Sequence, residues 1–160
     1  MHQPLIRPAL RVPSNPILSP EPDNEWEAAA VFNPSIIQDD EGICHMLYRA
    51  LSTEKEHYDE KLLVSTIGYA TSENGVDFTG RRQFIYPEYE WEKYGCEDPR
   101  VTKIDGKYYI FYTALANYPP SADGIRVAVA ISKDLKTIEE KSRWESYPQA
   151  RTAFPAPKRG

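Results

Sequence analysis

The sequence predicts an all-β chain of propeller type, and three observations carry that prediction. The first is an internal repeat. Asn33-Pro34 recurs as Asp98-Pro99, Tyr48-Arg49-Ala50 as Tyr112-Thr113-Ala114, and Ile67–Ser72 as Val127–Ser132. The offsets drift from 65 (34 to 99) through 64 (48 to 112) to 60 (70 to 130). The second is that each unit holds four strand signals separated by turns, which is the content of one propeller blade. The third is tyrosine, used 11 times in 160 residues. Tyrosine suits pleated surfaces, where the ring packs and the hydroxyl finds a partner.

Residues 1–25 carry Pro4, Pro8, Pro13, Pro16, Pro20 and Pro22 without a sustained period, and read as an extended N-terminal arm. Asp23 to Ala30 is expected to form one helical turn with Asp23 as its cap. The blades occupy 26–141. Ser35–Ile37 and Ile43–Tyr48 flank the turn Asp39-Asp-Glu-Gly42 and predict a hairpin. Glu54–Lys61 mixes charges with no apolar face and is expected to be a solvated loop. Val64–Ser72 is a strand, Asn74-Gly75 a tight turn, and Asp77–Phe84 a fourth strand. Tyr86–Tyr94 forms an aromatic, acidic connection to the second unit, which opens on Gly95-Cys-Glu-Asp-Pro-Arg100 and the hairpin Val101–Thr113.

A third unit would begin near position 163, so the chain holds an incomplete propeller of about two blades. Residues 142–160 lose the period and turn rich in proline and basic residues. They read as an unpatterned tail, disordered or out of frame. Two blades leave apolar faces and strand edges open. Oligomerisation, or complementation by further blades, is therefore an expected form of partnership.

The net charge of -5 and pI near 5.3 argue against nucleic-acid and anionic-membrane partners. No apolar run is long enough to span a bilayer, and the N-terminus shows no apolar signal region, so a cytoplasmic location is expected. Cys44 and Cys96 read as reduced thiols, and neither forms metal-ligand spacing with the scattered His2, His45 and His57. No metal and no cofactor are expected.

Asn33 and Asp98 hold the same place in successive units, each fixed by a following proline. The innermost strand of a blade lines the central channel, so both are candidates for the ligand-binding mouth. The residue before proline is biased toward extended geometry, and proline favours the start of a strand, so Asp98 is expected extended at a strand entrance. Strand alternation separates Glu97 from Asp98. Glu97 then turns into the blade interface, where an arginine is its expected partner, and Arg100 shares the Asp98 face. Arg49, at the end of an inner hairpin, is a second basic candidate.

Taken together and in order, Asn15-Pro-Ile-Leu18, Trp26-Glu27, Val31–Ser35, Leu47–Ala50, Ile67–Ser72 and Gly95–Arg100 resemble glycoside hydrolase family 130. The resemblance covers roughly residues 10–140. It implies a five-bladed propeller and an inverting β-mannoside phosphorylase that yields mannose 1-phosphate, with inorganic phosphate as co-substrate. It also implies that Asp98 is the general acid, protonating the leaving oxygen through the sugar's 3-hydroxyl while phosphate attacks the opposite face, and that Asn33 and Arg49 hold the mannosyl unit. One carboxylic acid suffices in an inverting scheme whose nucleophile is already an anion. Arg100 is a support inferred from strand geometry alone. The alternatives are a β-mannoside hydrolase of the same fold and a non-catalytic carbohydrate-binding fragment. A propeller of the arabinan- or fructan-cleaving type would require an aspartate where Asn33 stands.

Overall fold

The computed structural model describes residues 11–144. Eight strands run in chain order: β1 (Ala30–Gln38), β2 (Cys44–His57), β3 (Glu60–Ser72), β4 (Thr79–Ile85), β5 (Gly95–Ile104), β6 (Lys107–Leu115), β7 (Ile125–Ser132) and β8 (Glu140–Arg143). They form two antiparallel meanders, β1–β4 and β5–β8, joined by one parallel bridge between Ser65 of β3 and Gly95 of β5. This is the four-strand blade repeated twice, as the 60- to 65-residue offset requires. β8 runs through Arg143, and residues 145–160 of the unpatterned segment lie outside the described residues.

The hairpin turn at 39–42 forms as the sequence predicts. Asp39 Oδ1 accepts from the backbone N–H groups of Glu41 and Ile43, and Gly42 takes a positive φ of 89°. Two expectations fail. Asp23–Ala30 makes hydrogen-bonded turns and no helix, with Glu27 N–H donating to Asn24 O at 2.9 Å. Glu54–Lys61 is no loop, because β2 and β3 stay paired from Glu54↔Leu63 to His57↔Glu60. Charge mixing hid this hairpin. Its polar faces look solvated in sequence, yet a two-stranded ribbon satisfies its backbone by pairing alone.

Apolar residues divide between two clusters. Leu47, Ile67 and Tyr69 of the first blade pack with Cys96, Ile110, Tyr112 and Ala128 of the second, so this cluster spans the blade interface. Met46, Tyr48, Ala50, Ala70 and Phe78 pack beneath Ile17 and Leu18, which lay the arm across the other face of the first blade. Gly68 belongs to this packing: a Cβ there would stand 2.4 Å from Cζ of the Tyr48 ring, its cross-strand partner. Cys44 and Cys96 are free thiols. Among the described residues, no helix is long and apolar enough to cross a membrane.

Candidate active site

β1 and β5 break their ladders at the same place. The register slips between Phe32 and Ser35 on β1 and between Glu97 and Arg100 on β5, so Asn33-Pro34 and Asp98-Pro99 each form a bulge. Proline has no N–H to give the ladder, and a bulge absorbs the lost pairing while turning the adjacent side chain. Asn33 takes φ 48° and Asp98 φ 51°. The expected extended Asp98 at a strand entrance is therefore corrected: it is the fourth residue of β5 and lies in the left-handed region. Asn and Asp enter that region more readily than other side chains, though such strain still costs on the order of 1–3 kcal/mol per residue.

The paired bulges bring the two side chains together. Asn33 Nδ2 donates to Asp98 Oδ1 at 2.7 Å, across 65 residues of sequence. Arg49, from β2, reaches the same group: its Nη1 lies 3.5 Å from Asp98 Oδ1, its Nη2 pairs with Glu97 Oε1, and its Nε donates to Ser65 Oγ at 2.9 Å. The Phe32 ring lies beneath the guanidinium, 4.9 Å from its carbon. Glu97 thus finds the arginine expected of it across the blade interface. Because the bulge suspends strict alternation, one guanidinium touches both neighbouring carboxylates. Burial pushes the Glu97 carboxyl above its ordinary value of 4.5; Arg49 opposes the rise and Asp98 reinforces it. Both Asp98 contacts fall on Oδ1. Oδ2 takes no partner among the described residues, and the side chain is 40% exposed, so this oxygen is open to a ligand.

Of the four candidate residues, the fold gathers Asn33, Arg49 and Asp98. Arg100 is apart from them: it is exposed, and its Nη1 donates to the carbonyl of Pro99. A recess of about 440 Å³ between β4 and β8, bordered by Arg82, Tyr86, Glu88 and Lys141, contains none of the four. Among the described residues, no group of three His, Cys, Asp or Glu side chains could hold a metal.

Behind each bulge stands a buried acid that sequence reading overlooked. Glu27 and Glu92 are both fully buried, each six positions before its bulge residue. Tyr48 Oη donates to Glu27 Oε2 at 2.8 Å, and Tyr112 Oη to Glu92 Oε2 at 2.6 Å. A cation from the outer strand completes each set. Arg81 Nη1 lies 3.4 Å from Glu27, and Lys141 Nζ lies 2.7 Å from both Glu92 and Glu88. Burial foremost raises both tyrosine hydroxyls above their ordinary value, reinforced by Glu27 at Tyr48 and by Cys96 and Glu92 at Tyr112, and burial does the same to the Cys96 thiol. The signal was available: Glu25-Trp-Glu27 recurs as Glu90-Trp-Glu92 at the 65-residue offset of the bulges.

A family model described as beta-1,4-mannooligosaccharide phosphorylase matches residues 4–154, nearly the whole chain. The chain belongs to glycoside hydrolase family 130. Among curated members, it is 39% identical over 132 residues to a 1,2-beta-oligomannan phosphorylase of Thermoanaerobacter sp. strain X514, covering 82% of this chain and 43% of that protein. It is 41% identical over 135 residues to a beta-1,2-mannobiose phosphorylase of the same strain, covering 79% of this chain and 43% of that one. A solved structure, described with family 130 glycoside hydrolases that target beta-1,2 mannosidic linkages in Candida mannan, superposes with a TM-score of 0.62. That match is 30% identical and covers 82% of this chain and 38% of the solved one. The two meanders are thus blades of a β-propeller-type fold, in a sheet that does not close. The chain spans less than half the length of these relatives.

Proposed function

We propose that the chain supplies the first two blades of an inverting β-mannoside phosphorylase site. The observation that carries the reading is the pairing of Asn33 with Asp98 on matched bulges, with Arg49 beside them. Asn33 and Arg49 both hold Asp98 Oδ1, which orients the carboxyl and leaves Oδ2 as the oxygen that carries and gives up the proton. In phosphorolysis, phosphate attacks the anomeric carbon from the face opposite the leaving group. The bond to the leaving oxygen breaks, and the Asp98 proton reaches that oxygen through the 3-hydroxyl of the mannosyl unit. Asn33 and Arg49 orient that unit. Mannose 1-phosphate is the product, and neither metal nor cofactor takes part.

This division of labour fits an inverting scheme, because a phosphate anion needs no general base. The curated relatives act on β-1,2-linked mannobiose and oligomannan, which makes β-1,2-mannosides the first substrates to test. The rest of the mouth comes from further blades, on the same polypeptide or on a partner. A hydrolytic reading draws support from the solved family member associated with mannan hydrolases. In it, Asp98 keeps its role, water replaces phosphate, and a second carboxylate from a further blade takes the water's proton.

The test is product analysis with β-1,2-mannobiose in the presence and absence of phosphate. Phosphate-dependent release of mannose 1-phosphate that disappears in Asp98→Asn is the expected result. Release of free mannose without phosphate moves the assignment to hydrolase, glycan binding without turnover moves it to a binding role, and full activity in Asp98→Asn removes the acid from this position.

A further inference from the structure

The strand directions place three connections at the same end of the blades as Asn33 and Asp98. β1 and β5 both start at that end and carry the bulges near their starts. β2 returns to it, so the β2–β3 tip at His57–Glu60 lies there. β4 also returns to it, so the connection 86–94 leads across it into β5, and β6 returns to it before the segment 116–124. Each of these connections contributes a tyrosine to one cluster. The Tyr58 and Tyr94 ring centroids are 5.8 Å apart, and those of Tyr94 and Tyr118 are 6.2 Å apart. Lys93 Nζ lies 5.0 Å from the Tyr58 centroid and 5.2 Å from that of Tyr94. His57 Nε2 donates to the Lys93 carbonyl, tying the hairpin tip of the first blade to the approach of the second.

Two features separate this cluster from ordinary packing. Tyr58 is 54% exposed and Tyr118 is 41% exposed, so the rings present area to solvent. Tyr58 also sits at φ 46°, a left-handed conformation that costs an aromatic residue roughly 1–2 kcal/mol and that Gly or Asn would adopt more easily at a hairpin tip. The fold therefore bears strain to hold an exposed ring where a smaller residue would relieve it. Strain of this kind concentrates at ligand clamps and functional sites.

Tyr94 precedes Asp98 by four residues, at most about 13 Å of backbone, and stands in the turn that leads into β5. The cluster shares no contact with Asn33, Arg49 or Asp98 among the described residues, so at the same end of the blades it is placed to meet a sugar unit beyond the mannosyl unit held at Asp98. We propose that Tyr58, Tyr94 and Tyr118 form a distal subsite that stacks on a sugar ring of an oligomannoside whose end lies at Asp98, selecting longer chains over the disaccharide. Apolar sugar faces pack on tyrosine, and the three hydroxyls supply polar partners at the ring edge. This subsite rests on the proposed function.

The test is calorimetric binding of β-1,2-mannobiose and of the linear β-1,2-mannopentaose to the wild type, Tyr58→Asn and Tyr118→Ala. Tyr58→Asn relieves the strained φ, so it is expected to fold at least as stably as the wild type. Both variants are expected to weaken the pentasaccharide by roughly fivefold to tenfold, the size of one lost aromatic contact, while binding the disaccharide unchanged. Equal weakening of both glycans, or no weakening of either, overturns the subsite. The underlying reading fails differently: a wild type that binds neither glycan removes the mannoside site itself, whereas a wild type that binds both, with pentasaccharide affinity unchanged in both tyrosine variants, removes the distal subsite and leaves the mouth intact.

Discussion

The two blades share one frame and differ in a few residues. Each carries a bulge residue in the left-handed region before proline, a buried glutamate six positions earlier, a tyrosine bonded to that glutamate, and a cation from an outer strand. In the first blade the set is Asn33, Glu27, Tyr48 and Arg81. In the second it is Asp98, Glu92, Tyr112 and Lys141. Repetition of the frame delivers two polar groups to hydrogen-bonding distance, and the change from amide to carboxyl at one of them supplies an acid. Geometry here belongs to the repeat, while the carboxyl to which the proposed function assigns reactivity is a single departure from it.

The two buried acids are held differently. Lys141 has a side chain only 3% exposed and is held by Glu92 and Glu88, whereas Arg81 is 21% exposed and lies 3.4 Å from Glu27. Glu92→Gln leaves a buried ammonium with one of its two carboxylates and is expected to destabilise the protein by about 3 kcal/mol, the scale of a broken buried pair. Glu27→Gln is expected to cost less, because Asn24 and Tyr48 still hydrogen-bond the amide and Arg81 reaches solvent. Denaturant midpoints check the order, and equal losses would show that the two clamps are energetically alike.

A smaller difference lies under the tyrosines. Tyr48 faces Gly68 across the ladder, and Tyr112 faces Ala128 at the matching position. A Cβ at Gly68 would meet the Tyr48 ring at 2.4 Å, a contact that must move the ring off its bond to Glu27. Gly68→Ala is expected to cost roughly 1–3 kcal/mol, although alanine occupies the corresponding place one blade later. A neutral result in thermal unfolding would mean that Tyr48 shifts freely.

The smallest expected effect is a pH slope. Burial raises the Glu97 carboxyl above 4.5 in the folded protein, so the folded state binds this proton more tightly than the unfolded chain. The resulting contribution to stability is fully present below about 4.5 and is lost as pH rises through the higher folded value. Glu97→Gln is expected to flatten that decline in denaturant midpoints taken across mildly acidic pH. An unchanged slope would place the titrating group elsewhere.

Much of this was legible in the sequence, for identifiable reasons. The repeat, the Asp39–Gly42 turn and the matched places of Asn33 and Asp98 in successive units follow from punctuation by Pro and Gly and from fixed spacing. Three things were not. The left-handed conformation of Asp98 runs against the preference of a pre-proline residue, and it emerges only when the lost ladder bond forces a bulge. That same bulge lets Arg49 touch both Glu97 and Asp98, which strict alternation forbids, while Arg100 turns to the Pro99 carbonyl. The polar β2–β3 extension shows no apolar face, because pairing and not burial holds it together. The burial of Glu27 and Glu92 was not legible either, since charge in a sequence does not announce the tyrosine and cation that bury it.

The most direct test of the account exchanges the two mouth residues. The double variant Asn33→Asp, Asp98→Asn keeps one amide and one carboxyl at the 2.7 Å contact, on bulges of the same conformation, with the charge moved to the first blade. Its rate of mannose 1-phosphate formation from β-1,2-mannobiose and phosphate should be compared with that of the wild type, alongside an unfolding curve. The account predicts wild-type-like unfolding with phosphorolysis abolished, because the proton must come from the second blade. Phosphorolysis at the wild-type rate in the exchanged protein would contradict it.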